Sequence, residues 1–277
     1  DLRTSQNYSW ARENSDYNTF IREVFSRDSQ RDFGVPYTRS RYYHLYINGQ
    51  YWGLYQTQER GEADFAETYL GGVEEDWDCI KTSHIGYRTE ANDGTMAAFT
   101  DLWQIALKQG FAGIHSTNYY WIKGVDSEGG PIPGSPRYLD EENLIIYMLI
   151  SYYTRDPDSP VSVWGGFPNN LYGLYNRSNP DGFKWLRHDA EHSMGAQRSY
   201  TAYTDPTSYG MSGYDTLQQF NPMRLHQRLM SNPDYRMRWM DMVQEHIVNT
   251  NGLLSVENCL DRWNKRQEMI DKAIVME

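Results

Sequence analysis

Cysteine is scarce: the 277 residues hold Cys79 and Cys259 and no other. Two thiols close at most one bridge, which excludes a disulfide framework. Both are expected to be buried small apolar side chains. Long apolar runs are also missing, and nothing nears the roughly 18 consecutive apolar residues of a membrane-spanning helix. Positive charge is short, with 26 Lys and Arg against 37 Asp and Glu and a net charge of -11. That balance argues against non-specific binding to nucleic acid or anionic lipid. It favours neutral, cationic or metal-bridged partners. Gly-x-Gly-x-x-Gly, Walker, Gly-x-Ser-x-Gly and His-Glu-x-x-His motifs are all lacking, so nucleophile triads are unsupported. His84, His115, His226 and His246 show no metal-ligand spacing with each other and read as structural.

Aromatics are plentiful, at 15% of the chain with 23 Tyr against 9 Phe and 9 Trp. An acidic, tyrosine-rich chain suits an exported protein that contacts polymer. It does not suit a disordered tail. The length allows one large domain or two packed lobes. The opening, Asp1-Leu2-Arg3 without an initiator Met, reads as a processed product or an excised piece.

Apolar spacing predicts a helix over 15–32, stopped by Gly34. The stretch from Arg41 to Tyr55 contains YYHLYINGQYWGLY, two aromatic runs flanking Asn48-Gly49. That dipeptide tolerates the positive φ a two-residue hairpin turn requires. Tyr51, Trp52 and Tyr55 are expected to pack inward. A short helix over 61–70 ending at Gly71-Gly72, a strand over 77–81 and a helix over 95–109 ending at Gly110 follow. Asp140 is expected to cap a buried helix running to Tyr153. Strands over 170–176 and 183–188 make a second hairpin. Helical spacing recurs over 217–230, 233–248 and 255–275, with Val256, Leu260, Trp263, Ile270 and Ile274 aligned in the last. The fold class is α+β, a mixed α/β lobe over 1–130 followed by a mainly helical lobe over 131–277.

The densest polar cluster is His188-Asp189-Ala190-Glu191-His192. On an extended chain Asp189 and Glu191 share a face. Two carboxylates there suit Mg²⁺, which prefers oxygen ligands. The flanking histidines leave a Zn²⁺ site, and with it a metal-dependent hydrolase, open. A solvated loop is the plain alternative. Asn169-Asn170 opens the preceding strand, where an amide would complete a metal shell or merely cap a turn. Glu59 either faces a nucleotide or makes a rim pair with Arg60 or Arg41.

The run HLYINGQYWGLYQTQER over 44–60, then FAETYLGG and WDCIK, resembles the CotH (spore-coat-protein-H-like) kinase family. FKWLRHDAEHSMG over 183–195 and NPDYRMRW over 232–239 resemble it too. The resemblance covers nearly the whole chain. It implies an atypical kinase-like fold, found on spores, at cell surfaces or in secreted multidomain bacterial proteins, that binds ATP with Mg²⁺ and phosphorylates protein Ser or Thr. By motif it implies metal binding by Asp189, support from Glu191, metal binding by Asn170 and a nucleotide-side position for Glu59. Two departures stand out. The catalytic Asp that relatives carry shortly before the Asn is replaced by Gly165, Gly166 and Phe167 in VWGGFPNN, leaving Asp156 and Asp158 as the nearest acids. The chain also reads as truncated at its N-terminus relative to the family, so Arg3 is the early candidate for phosphate contact. Asp158, or Asp156, is expected beside Asn170 and Asp189 if the loop doubles back. The competing expectation is a pseudokinase, or a structural module that binds a surface polymer in place of a protein substrate.

Overall fold

The computed structural model describes residues 1–4, 18–196, 205–208 and 215–275. The start of the helix expected over 15–32, and much of the aperiodic stretch before residue 215, lie outside them. Strand β1 (Leu2–Arg3) pairs antiparallel with β3 (Gln50–Thr57), which pairs with β2 (Tyr42–Ile47). Asn48 and Gly49 form the expected turn, with φ of 52° and 79° and Ile47 opposite Gln50. Helix α1 (Arg22–Asp32) precedes this hairpin and α2 (Ala63–Leu70) follows it.

A second, antiparallel sheet has the order β5-β4-β8-β9, built from β4 (Trp77–Thr82), β5 (Thr89–Asp93), β8 (Leu171–Asn176) and β9 (Lys184–Arg187). Its strands come from either side of residue 130. Between its halves lie α3 (Ala97–Gln104), α4 (Thr117–Lys123), α5 (Glu141–Tyr153) and a small hairpin of β6 (Val161–Ser162) and β7 (Phe167–Pro168). Helices α6 (Pro222–Leu229), α7 (Pro233–Val243) and α8 (Val256–Ile274) close the chain. Helices accompany antiparallel sheets, so the class is α+β as expected.

The core runs along α5, buried from Asn143 to Ser151 and capped as expected by the Asp140 side chain on the Asn143 N–H. Its apolar residues shed water on all sides, at about 1.5–3 kcal/mol for each large side chain. The helix expected over 95–109 is α-helical only to Gln104, then widens into a π-turn over 105–109 before Gly110. The helix expected from Leu217 starts five residues later. Asn221 caps it through the Arg224 N–H and Pro222 occupies its first turn, a favoured N-terminal arrangement.

Two packing expectations are corrected. Trp52 is 60% exposed, while Leu54 and Gln56 are the buried β3 side chains. On α8, Val256 and Leu260 face solvent, and the inward stripe is Cys259, Arg262, Arg266 and Ile270. The reason lies on α1. Arg266 Nε and Nη2 grip Asp28 at 2.6 and 2.7 Å, and Arg262 Nε meets Asp32 at 2.7 Å. Apolar periodicity reads a guanidinium as an outward residue, whereas paired with a buried carboxylate it turns in.

The Asn-Gly turn is testable by itself, because a Cβ at Gly49 meets nothing within 4 Å and any cost is conformational. Gly49→Val should destabilise the chain by about 1–2 kcal/mol through its positive φ, and Gly49→Asn by less than half of that. Thermal melts of the two variants check the ordering.

Candidate functional site

The second sheet assembles the site at one end. Leu171 is opposite Arg187, so Asn170, entering β8, and His188-Asp189, leaving β9, emerge side by side. Both turn off their strands through left-handed backbone, with φ of 49° at Asn170 and 56° at Asp189. Asn and Asp tolerate that region best among residues other than glycine. Beyond Asp189 the chain coils into a single turn over Ala190–His192. The extended alternation expected for Asp189 and Glu191 therefore does not hold. Glu191 is buried, though its charge still acts on Arg3.

The loop before Asn170 does double back. Val161 pairs with Pro168 and Ser162 with Phe167, which folds the VWGGFP segment into a hairpin. Asp158 thereby reaches the sheet end, where its Oδ2 accepts hydrogen bonds from Asn169 Nδ2 at 2.9 Å and Asn170 Nδ2 at 3.0 Å. Burial pushes the Asp158 carboxyl up to about 6. Bonds from Ser162 and the two amides oppose the rise and the nearby Asp189 charge adds to it. Asp156 points elsewhere, into a fully buried ion pair with Arg187.

Arg3 crosses from the first sheet. Its Nη2 meets Asp189 Oδ1 at 2.6 Å and its Nη1 donates to Gln58 Oε1 at 3.1 Å. Beneath it, α1 contributes Glu23 and Arg27, joined at 2.6 Å. The second oxygen of Glu23 accepts the Ala190 N–H. Arg27 also reaches Gln58 Oε1, the Glu59 carbonyl and His188 Nδ1, the last at 3.2 Å. Burial alone would raise the Glu23 carboxyl, but Arg27, His188 and Arg3 together hold it at about 2. Burial and the Arg27 charge lower His188 to about 4, so its imidazole is neutral and Nδ1 accepts. Glu23, Arg27 and Gln58 were not singled out in the sequence. The one signal was the Glu-x-x-x-Arg spacing on a helix, which solvated pairs share.

The Glu59 carboxylate is not brought to Asp189. It accepts from the Arg39 N–H at 2.7 Å and from the Tyr69 hydroxyl at 2.7 Å, and its ion pair is with Arg39, not Arg60 or Arg41. It borders an open cleft of about 330 Å³ with Asp1, Arg60, Glu62 and Tyr69. His192 packs edge-on against Trp164. Cys79 and Cys259 are buried free thiols. Among the described residues, no three His, Cys, Asp or Glu side chains are arranged as a metal cluster. The Asp189 charge nevertheless reaches Asp158, and Asp189, Asp158 and the Asn170 amide carry oxygen donors of the kind a hard divalent cation with several waters prefers.

A family model described as CotH kinase protein matches residues 9–277, and the chain belongs to this family. Comparison with curated proteins gives no match.

His188 generates a prediction about pH. A histidine whose folded pKa lies below its unfolded value of about 6.5 weakens the fold as pH falls from that value toward about 4, because the unfolded chain takes the proton first. Asp156 and Asp158 run the opposite way over the same window, so the informative quantity is a difference between two curves. Urea denaturation of wild type and His188→Gln should show the wild type losing about 1–2 kcal/mol relative to the variant between pH 6.5 and 4. Parallel curves would show that His188 is already charged in the fold.

Proposed function

We propose that this CotH-family chain binds ATP with a Mg²⁺ ion held by Asp189 and Asn170, and transfers the γ-phosphoryl group to a protein Ser or Thr hydroxyl. The observation that carries this reading is the position of Asp158. A general base must come within hydrogen-bond reach of the hydroxyl and remain ionised at the working pH. Asp158 stands beside Asn170, and with its carboxyl at about 6 it is mostly ionised at neutral pH yet basic enough to take a proton. It thus offers the acid that Gly165, Gly166 and Phe167 cannot.

Each remaining group has a role in this reading. Asn169 and Asn170 orient the Asp158 carboxylate for the incoming hydroxyl. Arg3 sets positive charge beside Asp189, where a phosphate oxygen would lie. Arg27 and Glu23 hold Gln58 and the Ala190 amide, and so fix the approach of Arg3. Glu191 contributes negative charge behind this layer. Glu59, bordering its open cleft, is assigned to the nucleotide side on the family resemblance. When bound, Mg²⁺ would neutralise phosphate charge that a chain of net charge -11 otherwise repels. An exported, surface-located protein is inferred from the family resemblance, and the exposed Tyr43, Tyr46 and Trp52 of the β2–β3 hairpin offer it a face for a polymer. They also favour the second reading, a non-catalytic module that keeps the fold and binds a surface polymer.

Calorimetry separates the two readings. ATP should bind at least tenfold more tightly with Mg²⁺ than in EDTA, and Asp189→Ala should erase the difference. Asp158→Asn should retain binding and lose about a hundredfold or more in γ-phosphate transfer to a generic acceptor. Equal affinity with and without Mg²⁺ would remove the kinase reading and leave the binding module.

A further inference from the structure

Asp156 and Arg187 lie outside the site just described, yet they are among the most deeply enclosed charges in the chain. Neither side chain exposes any surface. Arg187 donates from Nε to Ser26 on α1 at 2.9 Å, and from Nη1 to Ser151 at the end of α5 at 2.7 Å and to Ser159 at 3.1 Å. Its Nη2 pairs with Asp156 Oδ2. Its backbone N–H is held by Gln30 Oε1 at 2.7 Å.

Two of these arms continue to the site. The second oxygen of Asp156 accepts the backbone N–H of Asp158 at 3.1 Å. The Ser159 hydroxyl donates to the carbonyl of Asn170 at 3.0 Å. Arg187 itself stands two residues before Asp189, on the strand that delivers it. Each of Asp158, Asn170 and Asp189 is therefore tied to one guanidinium through a single hydrogen-bonded partner or a two-residue span.

We propose that the buried Arg187–Asp156 pair is the positioning hub of the site, fixing Asp158 and Asn170 against Asp189, so that Asp156 acts through Asp158 and not on the reacting atoms. The inference deepens the kinase reading and rests on it for the role of Asp158. A buried ion pair contributes little to stability compared with a well-packed apolar replacement. Its value is directional: a planar guanidinium with several fixed donors holds each partner in one geometry. The two polar loops meet at a sheet end, and the hydrogen bonds from this pair anchor them there.

The charges facing the pair are few. Asp156 faces Arg187, Asp158 and the Tyr147 hydroxyl of α5, and Arg187 also senses Glu23 of α1. Asp158 faces Asp189 and Asp156.

Side-chain amide NMR of the full chain, without nucleotide, tests this directly. Asp156→Asn, which keeps the shape but removes the charge that anchors Arg187, should shift and broaden the Asn169 and Asn170 side-chain amide signals, since both amides read the position of Asp158. Ser26→Ala removes an Arg187 partner that leads to no site residue, and should leave those signals in place while lowering the melting temperature. Should Asp156→Asn not fold, Ser159→Ala cuts the arm to Asn170 together with the Ser159 contacts to Arg187 and Tyr147, and the Asn170 side-chain amide signal should then shift and broaden. Unmoved Asn169 and Asn170 signals in Asp156→Asn, or an unmoved Asn170 signal in Ser159→Ala, overturn the proposal. Failure of the kinase reading is separately visible as wild-type chain that transfers no phosphate. Where transfer occurs, Asp156→Asn should lower kcat about tenfold or more, with KM for ATP changed less than twofold.

Discussion

The arrangement depends on charges that α1 carries into the interior. Glu23, Arg27 and Asp28 of this helix are each less than a twentieth exposed. Few segments bury ions at such density, because removing a charge from water costs several kcal/mol unless a partner restores it. Here every ion finds one. Glu23 and Arg27 satisfy each other and then reach outward to Ala190, Gln58 and His188. Asp28 takes both donors of Arg266. The helix has two working faces, one towards the candidate site and one towards α8. Breaking any one pair leaves an uncompensated buried charge, at about 3–5 kcal/mol. That penalty holds α1 in a single register against its neighbours.

This ionic packing also explains what could be read from the sequence. The Asn-Gly turn, the Asp140 cap and the apolar α5 were legible because each is decided within a few residues, by φ preferences, one side-chain acceptor or burial on all sides. Asn170 and Asp189 stood out in motifs, and chain length alone allowed Asp158 to return to them. Glu23, Arg27 and Gln58 were illegible for a physical reason. An i,i+4 Glu–Arg pair has the same spacing in solvent as in a core, and only distant residues such as His188 and Ala190 decide which it is. The same ambiguity hid Arg262 and Arg266 on the inner face of α8, where Trp263, Ile270 and Ile274 pack as expected and Val256 and Leu260 do not. Trp52 failed differently: Leu45 pairs with Gly53 and Tyr46 with Tyr51, so Trp52 is the extra residue of a β-bulge and escapes the alternation that turns Leu54 and Gln56 inward.

The pairing of Arg3 with Asp189 bears on how the site would meet a nucleotide. Among the described residues at this sheet end, Asp189 keeps a quarter of its side chain exposed, while Arg3 is more enclosed. The guanidinium offsets the charge that the neighbouring Asp158 would otherwise feel in full. A divalent cation arriving with phosphates can take over that neutralisation, and Arg3 then has phosphate oxygens to turn to at little electrostatic cost. The geometry therefore suits exchange of one counter-charge for another more than the building of a new site around an empty one.

Such an exchange requires the carboxylates to stay in place while their partners change, and the backbone supplies that constancy. Left-handed residues at Asn170 and Asp189 are costly conformations that persist only where surrounding structure enforces them. Sheet register enforces them from one side, through Leu171 opposite Arg187. From the other side, Glu23 grips the Ala190 amide and Ser159 grips the Asn170 carbonyl. A carboxylate held this way does not follow its counter-ion. In the proposed reading, selectivity for a small cation over a larger one would come from spacing fixed in advance, since rigid oxygen donors cannot expand to the longer bonds and higher coordination number that calcium requires.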